Sequence, residues 1–355
     1  MSENNQKIAI VLFNLGAPDQ KQSIEPFLNN FFNDKNIIAL PNPFRFMLAK
    51  WISYRRAKKV AKNVYAHLGG KSPLLENTKS QAKALDHYLR DHLTGEFKIF
   101  VSMRYWHPMS DEVIQEIKSY QPDKIISIPL YPQFSTTTSF SSFQDWDKKA
   151  LKAELNIPHV KIGCYPLEKG FIKASADLVL KTYQKAVSQT DQKIRILFSA
   201  HGLPEKVIKA GDPYQWQCEQ TAKKIAETLN IKDLDWQICY QSRVGKLKWI
   251  GPSIRHALEK AATDNVGVIV YPHAFVSEHS ETLVELDIEY KKIAEDLNLF
   301  YYDRVPTVRC HPDFIKGLGN LVLNNIKKHG IVPFDQNNQC PSNFNKCMCR
   351  DMRKK

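Results

Sequence analysis

Short apolar runs alternate with longer amphipathic stretches along this chain. The runs at 7–13, 97–102, 124–130, 160–164, 194–199, 235–240, 266–271 and 299–302 predict buried strands, because a parallel strand covered on both faces reads as a continuous apolar run. Helical periodicity between them predicts helices over 76–93, 110–119, 168–187, 213–229, 252–263 and 282–296. Such alternation argues for an α/β protein with parallel sheets flanked by helices. Asp212-Pro213 reads as an N-cap followed by proline at the first helical position, and Gly211 suits the end of a short helix before it.

The pattern also repeats. "KIAIVLFNLGAP" (7–18) and "KIRILFSAHGLP" (193–204) both run strand, turn, Gly, Pro. "KIISIPLYPQFSTTTS" (124–139) and "VGVIVYPHAFVSEHSE" (266–281) both run strand, Tyr-Pro, aromatic, Ser. Two similar halves follow, 1–165 and 166–332, with a polar, irregular tail at 333–355. In open parallel sheets functional groups gather beyond the carboxyl ends of the strands. His201 stands at such an end, where a turn or core histidine would otherwise be the ordinary reading.

Composition narrows the class. The chain has 355 residues, 43% hydrophobic and 25% charged, as in soluble globular proteins, and a net charge of +13 that favours anionic partners. No nucleic-acid motif accompanies the scattered basic residues, so nucleic acid is not expected as a partner. G-x-S-x-G and G-x-G-x-x-G are both missing, which sets aside a hydrolase elbow and a dinucleotide fingerprint. The first apolar run is too short and unflanked for a signal peptide, and no run approaches the roughly 18 residues of a membrane span. Seven cysteines without such a signal point to a reducing cytoplasm, with thiols or metal ligands rather than disulfides.

A second anchor lies in "YPHAFVSEHSETLVELDIEY" (271–290), a strand end entering a helix that Ser277 or Ser280 can cap. At about 100° per residue Glu278, Glu281, Glu285 and Glu289 fall on one face, and Leu283, Leu286 and Tyr290 on the other. A solvated acidic face is the bland reading. Beside His279 at a strand end, a cation or a moving proton would offset the like-charge repulsion. Glu and His together suit a divalent first-row metal such as Fe²⁺.

"FNLGAPD", "GGKSPL", "MRYWHP", "YPQFS", "LFSAHGLP", "GDPY", "CYQSRVG", "KWIGPS" and "FVSEHSETLVELDIEY", in that order over about residues 7–330, resemble the ferrochelatase family, which inserts Fe²⁺ into protoporphyrin IX to form protohaem. The resemblance implies two Rossmann-like domains with a porphyrin cleft between them, as in class II chelatases. It implies that His201 and Glu281, facing each other across that cleft, are the iron site. It places Glu278, His279, Glu285 and Glu289 on a path for protons or iron. Tyr105, Tyr131 and Trp249 match aromatic pocket positions, Arg56, Tyr65 and Ser72 the porphyrin's polar edge, and Leu15 an apolar contact with the ring. A chelatase for another metal or tetrapyrrole, and a porphyrin or haem carrier without catalysis, are the rival readings.

That chemistry suits these residue types. Two pyrrole protons must leave as iron enters a bent macrocycle, and an imidazole is the usual base near neutral pH. The propionates ask for arginine, and Arg55, Arg56 and Arg104 are candidates, with a structural ion pair the alternative for Arg104. The basic, aromatic-rich stretch 42–62 reads as a helix with one buried face, or as a pocket lip that touches a membrane surface. The expected setting is therefore cytoplasmic with a peripheral contact at the inner face of the membrane, as monomer or homodimer. In the tail, Cys340, Cys347 and Cys349 form C-x6-C-x-C. The resemblance to bacterial members of the family adds Cys164, and implies a [2Fe–2S] cluster on these four; a four-thiolate zinc site fits the same spacing. Cys218, Cys239 and Cys310 are expected to be buried thiols.

Overall fold

The computed structural model describes residues 6–243, 245, 247–333, 335 and 340–350; part of the predicted irregular tail lies outside these. Its strands are β1 (Ile8–Asn14), β2 (Phe97–Met103), β3 (Lys124–Pro129), β4 (His159–Ile162), β5 (Ile194–His201), β6 (Trp236–Gln241), β7 (Gly267–Tyr271), β8 (Tyr302–Arg304) and β9 (Gly330–Val332). They form two sheets, β2-β1-β3-β4-β9 and β6-β5-β7-β8, with every pairing parallel. The repeat in the sequence is thus a repeat in topology: β1 and β5 hold the same central place, and "LGAP" and "HGLP" leave the same strand end.

The helices are α1 (Ile24–Phe32), α2 (Phe44–Asn63), α3 (Leu74–Arg90), α4 (Ser110–Tyr120), α5 (Ser139–Lys152), α6 (Lys169–Val187), α7 (Glu205–Lys209), α8 (Tyr214–Leu229), α9 (Ile254–Thr263), α10 (Lys291–Asp296) and α11 (Pro312–Leu323). Where an α-helix over 282–296 is expected, Glu281–Tyr290 is a π-helix that continues into α10. Neither expected cap holds: Ser280 occupies the N-cap position without a side-chain capping bond, and the Ser277 hydroxyl donates to Gln81 Oε1 at 3.0 Å. Asp212 does serve α8, accepting the Tyr214 N–H at 3.0 Å.

One apolar cluster runs through both halves. It joins Ile10, Leu12 and Ile128 of the first sheet to Ile196, Phe198 and Ile269 of the second, through Phe171 of α6 and Phe314 of α11. Gly317 of α11 lets these two helices close up, since a Cβ there would lie 2.1 Å from Glu168 Oε2. The outer faces have their own cores, Val11, Phe13, Phe143 and Trp146 on one side, Leu197, Leu258, Val268 and Leu286 on the other. β9 crosses back to the first sheet, Val160 opposite Gly330 and Ile162 opposite Val332. Lys124 Nζ fixes the approach to it by donating to the carbonyls of Ile326 and Lys328 at 2.7 and 3.2 Å.

Candidate active site

His201 is the last residue of β5, the strand whose neighbours β6 and β7 lie on opposite sides. This is the point where strand order reverses and where open α/β sheets leave a crevice. Glu281 enters from the segment after β7. The His201 Nδ1 to Glu281 Oε2 distance is 2.8 Å. The expectation that a macrocycle-sized gap separates the two is therefore overturned. Both arise from adjacent strands of one sheet, so they lie on the same side of any cleft and act as a pair.

The pair rests on two residues that pattern reading missed, Gln241 and Ser242, at the carboxyl end of β6. Gln241 Nε2 donates to the Glu281 carbonyl at 2.9 Å and to Glu285 Oε2 at 3.0 Å, while its Oε1 accepts the Ser199 hydroxyl at 2.8 Å. Ser242 holds the left-handed conformation, φ 62°, which aims its N–H at Glu285 Oε1 (2.8 Å) and its hydroxyl at Glu285 Oε2 (2.5 Å) and Glu281 Oε2 (3.4 Å). Their only signal in the sequence is position, one strand over from His201. Gly202 is held by its N–H to the Gln241 carbonyl at 2.8 Å, and a Cβ there would meet that oxygen at 2.9 Å and the Trp249 ring at 3.4 Å.

Electrostatics separates the groups. Burial opposes charge on His201, but the Glu281 carboxylate outweighs it and raises the imidazole above 6.5. Glu281 is lowered in turn, His201 overcoming burial. Glu285 is raised, by burial first and then by the Glu281 charge. Two nearby imidazoles behave oppositely: burial lowers His273 to about 4 and lowers His279 as well. With 36% of its side chain accessible, His201 is the imidazole of this group that can meet a substrate. Glu281, Glu285 and Glu289 line an open pocket of about 190 Å³ together with Val64, Ser280 and Val284.

The other expected site residues divide. Tyr65 is buried beside Ser280 and Glu281, burial raising its phenol. Leu15, Ser72 and Tyr131 stand at the carboxyl end of the first sheet, where the Ser72 N–H donates to the Pro18 carbonyl at 2.9 Å. Glu278 leaves the glutamate stripe: its Oε1 accepts from Arg304 Nη1 (3.1 Å), the Thr307 N–H (2.9 Å) and the Thr307 hydroxyl (3.1 Å). Arg104 bonds Asp34 at 3.0 Å and Ser141 at 2.8 Å, so the structural ion pair is what forms. Tyr105 is fully buried, its hydroxyl donating to Asp34 at 2.7 Å, and offers no wall to a ligand. Arg55 and Arg56 are exposed on α2, over the rings of Trp51 and Phe32.

The four expected thiols do meet. Cys164, Cys340, Cys347 and Cys349 are buried, with Cys349 in contact with Cys164 and Cys347, and Cys340 with Cys347. Those contacts raise the thiols of Cys340 and Cys349, burial adding to them. Among the described residues no group of three or more His, Cys, Asp or Glu is arranged to hold a metal ion; here the free thiols hydrogen-bond one another. As a donor set, four enclosed thiols on β4's exit and the tail still fit a thiolate-bound centre. Cys218 and Cys239 are buried as expected, but Cys310 is exposed, because it falls in the turn before α11.

Two parallel sheets of repeated topology, flanked by helices, are a fold that this chain shares with class II chelatases. The chain aligns with the solved structure of SirB from Bacillus subtilis with Fe3+ at a TM-score of 0.51 and 10% identity, over 90% of this chain and 95% of that one. The family is narrower: the ferrochelatase family model matches residues 7–326. The ferrochelatase of Pelagibacter ubique is 47% identical over 345 residues, 97% of this chain and 98% of its own length. That of Wolbachia sp. subsp. Drosophila simulans is 50% identical over 318 residues, 90% of this chain and 99% of its own. The chain belongs to the ferrochelatase family. β9 and three of the four clustered cysteines lie beyond the matched region.

Proposed function

We propose that the chain inserts ferrous iron into protoporphyrin IX, yielding protohaem and two protons, with His201 and Glu281 as the working pair. The observation that carries this reading is their 2.8 Å contact at the strand-order reversal. Because Nδ1 is engaged, Nε2 is left to take a pyrrole proton, and Glu281 stabilises the imidazolium that results. Glu285 is the next group along. Burial and the Glu281 charge make this carboxyl hold a proton to higher pH than a free one, which favours protons over iron as the traffic of the stripe. Fe²⁺ then enters as substrate from the open side, at the exposed edge of His201. Leu15, Tyr131 and Trp249 are the proposed walls for the macrocycle, and Arg55 and Arg56 the cations for its propionates.

Helix α2 is the proposed contact with a membrane surface in a cytoplasmic protein. Phe44, Met47, Trp51 and Tyr54 are exposed there, among Arg45, Lys50, Arg55, Lys58 and Lys59. No described helix is long and apolar enough to cross a membrane. Cys164, Cys340, Cys347 and Cys349 would hold a [2Fe–2S] cluster, which when bound supplies a one-electron redox centre. Visible absorption of the purified protein separates it from zinc thiolate, which is colourless.

The deciding experiment is fluorometric. Under anaerobic conditions with Fe²⁺, the protein should quench protoporphyrin emission as haem absorbance grows. His201→Ala should abolish turnover yet retain porphyrin binding. Unchanged turnover in that variant, or binding without turnover in the wild type, overturns the reading.

A further inference from the structure

We propose that Gln217 is the positioning residue of the cysteine site, donating one fixed amide to two of its sulfurs and so setting the reduction potential of the group they hold. This rests on the cluster reading above. Gln217 lies on α8, fully buried, and its side chain is held at both ends. The Phe134 backbone N–H can only donate, and it meets Gln217 Oε1 at 2.7 Å. That fixes the amide's orientation, which otherwise is ambiguous for a glutamine. Nε2 is thereby turned to the sulfurs, at 3.0 Å from Cys340 and 3.5 Å from Cys164. One of these cysteines comes from the exit of β4 and the other from the tail, so a single amide spans the two chain segments that build the site.

Reduction adds negative charge to a thiolate-bound cluster, and an N–H aimed at a ligand sulfur stabilises the more negative state. Gln217 therefore holds the potential up. The same residue ties the site to the loop after β3, where Phe134 is followed by Ser135 and Thr136, both donating to Asp212 at 3.0 and 2.6 Å. Asp212 follows Gly211, whose carbonyl accepts the Lys346 N–H of the tail at 3.1 Å. A merely structural role for Gln217 would loosen this loop without moving a potential.

The test is a spectroscopic redox titration of the full chain, purified anaerobically, with dithionite as reductant and iron and sulfide assayed in parallel. Gln217→Met, which removes the donor at similar length, should keep its iron and sulfide but reduce less readily. A shift equivalent to about three- to tenfold in the reduction equilibrium is expected, tenfold being about 59 mV for one electron. An unchanged potential at unchanged stoichiometry overturns the proposal and leaves the cluster reading standing. A wild-type protein without iron, sulfide or visible absorption overturns both. Should Gln217→Met fail to fold, Gln217→Glu retains an acceptor for Phe134 and must lower the potential; no shift there is equally fatal.

Discussion

Three side chains share one proton economy at the end of β5. Glu281 bonds His201, and the Ser242 hydroxyl reaches both Glu281 and Glu285. Environments that push paired groups apart mark acid and base assignments. Here one carboxyl is lowered by an imidazole and its neighbour is raised by burial and by that same carboxylate. The pair's contribution to stability has two edges. His201 is raised, so its share is lost as pH rises through the folded value; Glu281 is lowered, so its share is lost as pH falls through its own. The rate follows the free imidazole and should climb with pH through a midpoint above 6.5. With Glu281→Gln, burial of His201 is opposed only by the more distant Glu285, and the midpoint should move to lower pH. Its plateau should fall as well, by at most the roughly 10²–10⁴ that a positioned base is worth, because His201 remains but loses the carboxylate that holds it. A pH profile of kcat/KM checks this, and an acid limb that stays in place contradicts it. His201 was legible as an imidazole at a strand end, and Glu281 as its partner through the motifs shared with the family. Gln241 and Ser242 were not, since an amide and a hydroxyl are ordinary anywhere and only the fold brings them under Glu285. The direct contact of the pair was equally hidden, because sequence gives which strand a residue ends and not which strands are neighbours.

Strands were the most legible elements, each a compact apolar run with few alternative readings. Other elements lacked that signature. In α11 two glycines, Gly317 and Gly319, depress helix propensity, yet they are what close packing on α6 and α3 requires. Helix α5 opens on "SFSS", residues that favour turns, and β9 is only three residues long. The π-helix could not be told from an α-helix by periodicity, as the two differ by less than one residue per turn. Its effect is to set Glu281, Glu285 and Glu289 along one pocket while Val284 and Leu286 stay buried. Helix α2 was legible in composition but open in meaning. With Trp51 56% exposed, its own fluorescence reports the surface it meets. Vesicles containing anionic lipid should shift that emission to the blue, with affinity falling as salt rises. Met47→Glu should weaken binding about tenfold or more, since burying such a side chain is worth about 1.5–3 kcal/mol. Emission indifferent to vesicles would remove the membrane reading of α2.

At the scale of the whole molecule, the duplicated topology was readable from repeated motifs, but the union of the halves was not. The division at 332 follows the repeat, whereas the chain spends its last strand on the first sheet and threads one core through both. Long-range contacts of this kind leave no periodic trace. A single buried residue shows how tightly the halves are joined. Gln81 of α3 donates Nε2 to the carbonyls of Val276 and Arg309 at 2.8 and 3.0 Å, and accepts the Ser277 hydroxyl at 3.0 Å. Its neighbour Asn77 donates to the Glu278 carbonyl at 2.9 Å. These bonds pin, from the first half, the segment that leads into Glu281. Gln81→Leu strands two carbonyls and a hydroxyl in the interior, at about 1–3 kcal/mol for each buried group left unpaired. Urea unfolding should then show one cooperative transition, as in the wild type, with stability lower by a few kcal/mol. The loss should reach catalysis as well, raising KM for porphyrin because the approach to Glu281 is no longer held. Lys173→Ala, which breaks an exposed pair with Asp313, is the control and should change stability by less than about 0.5 kcal/mol. Two separate transitions in the wild type, or a Gln81→Leu midpoint matching it, would mean that the halves are independent bodies and that this lash carries no load.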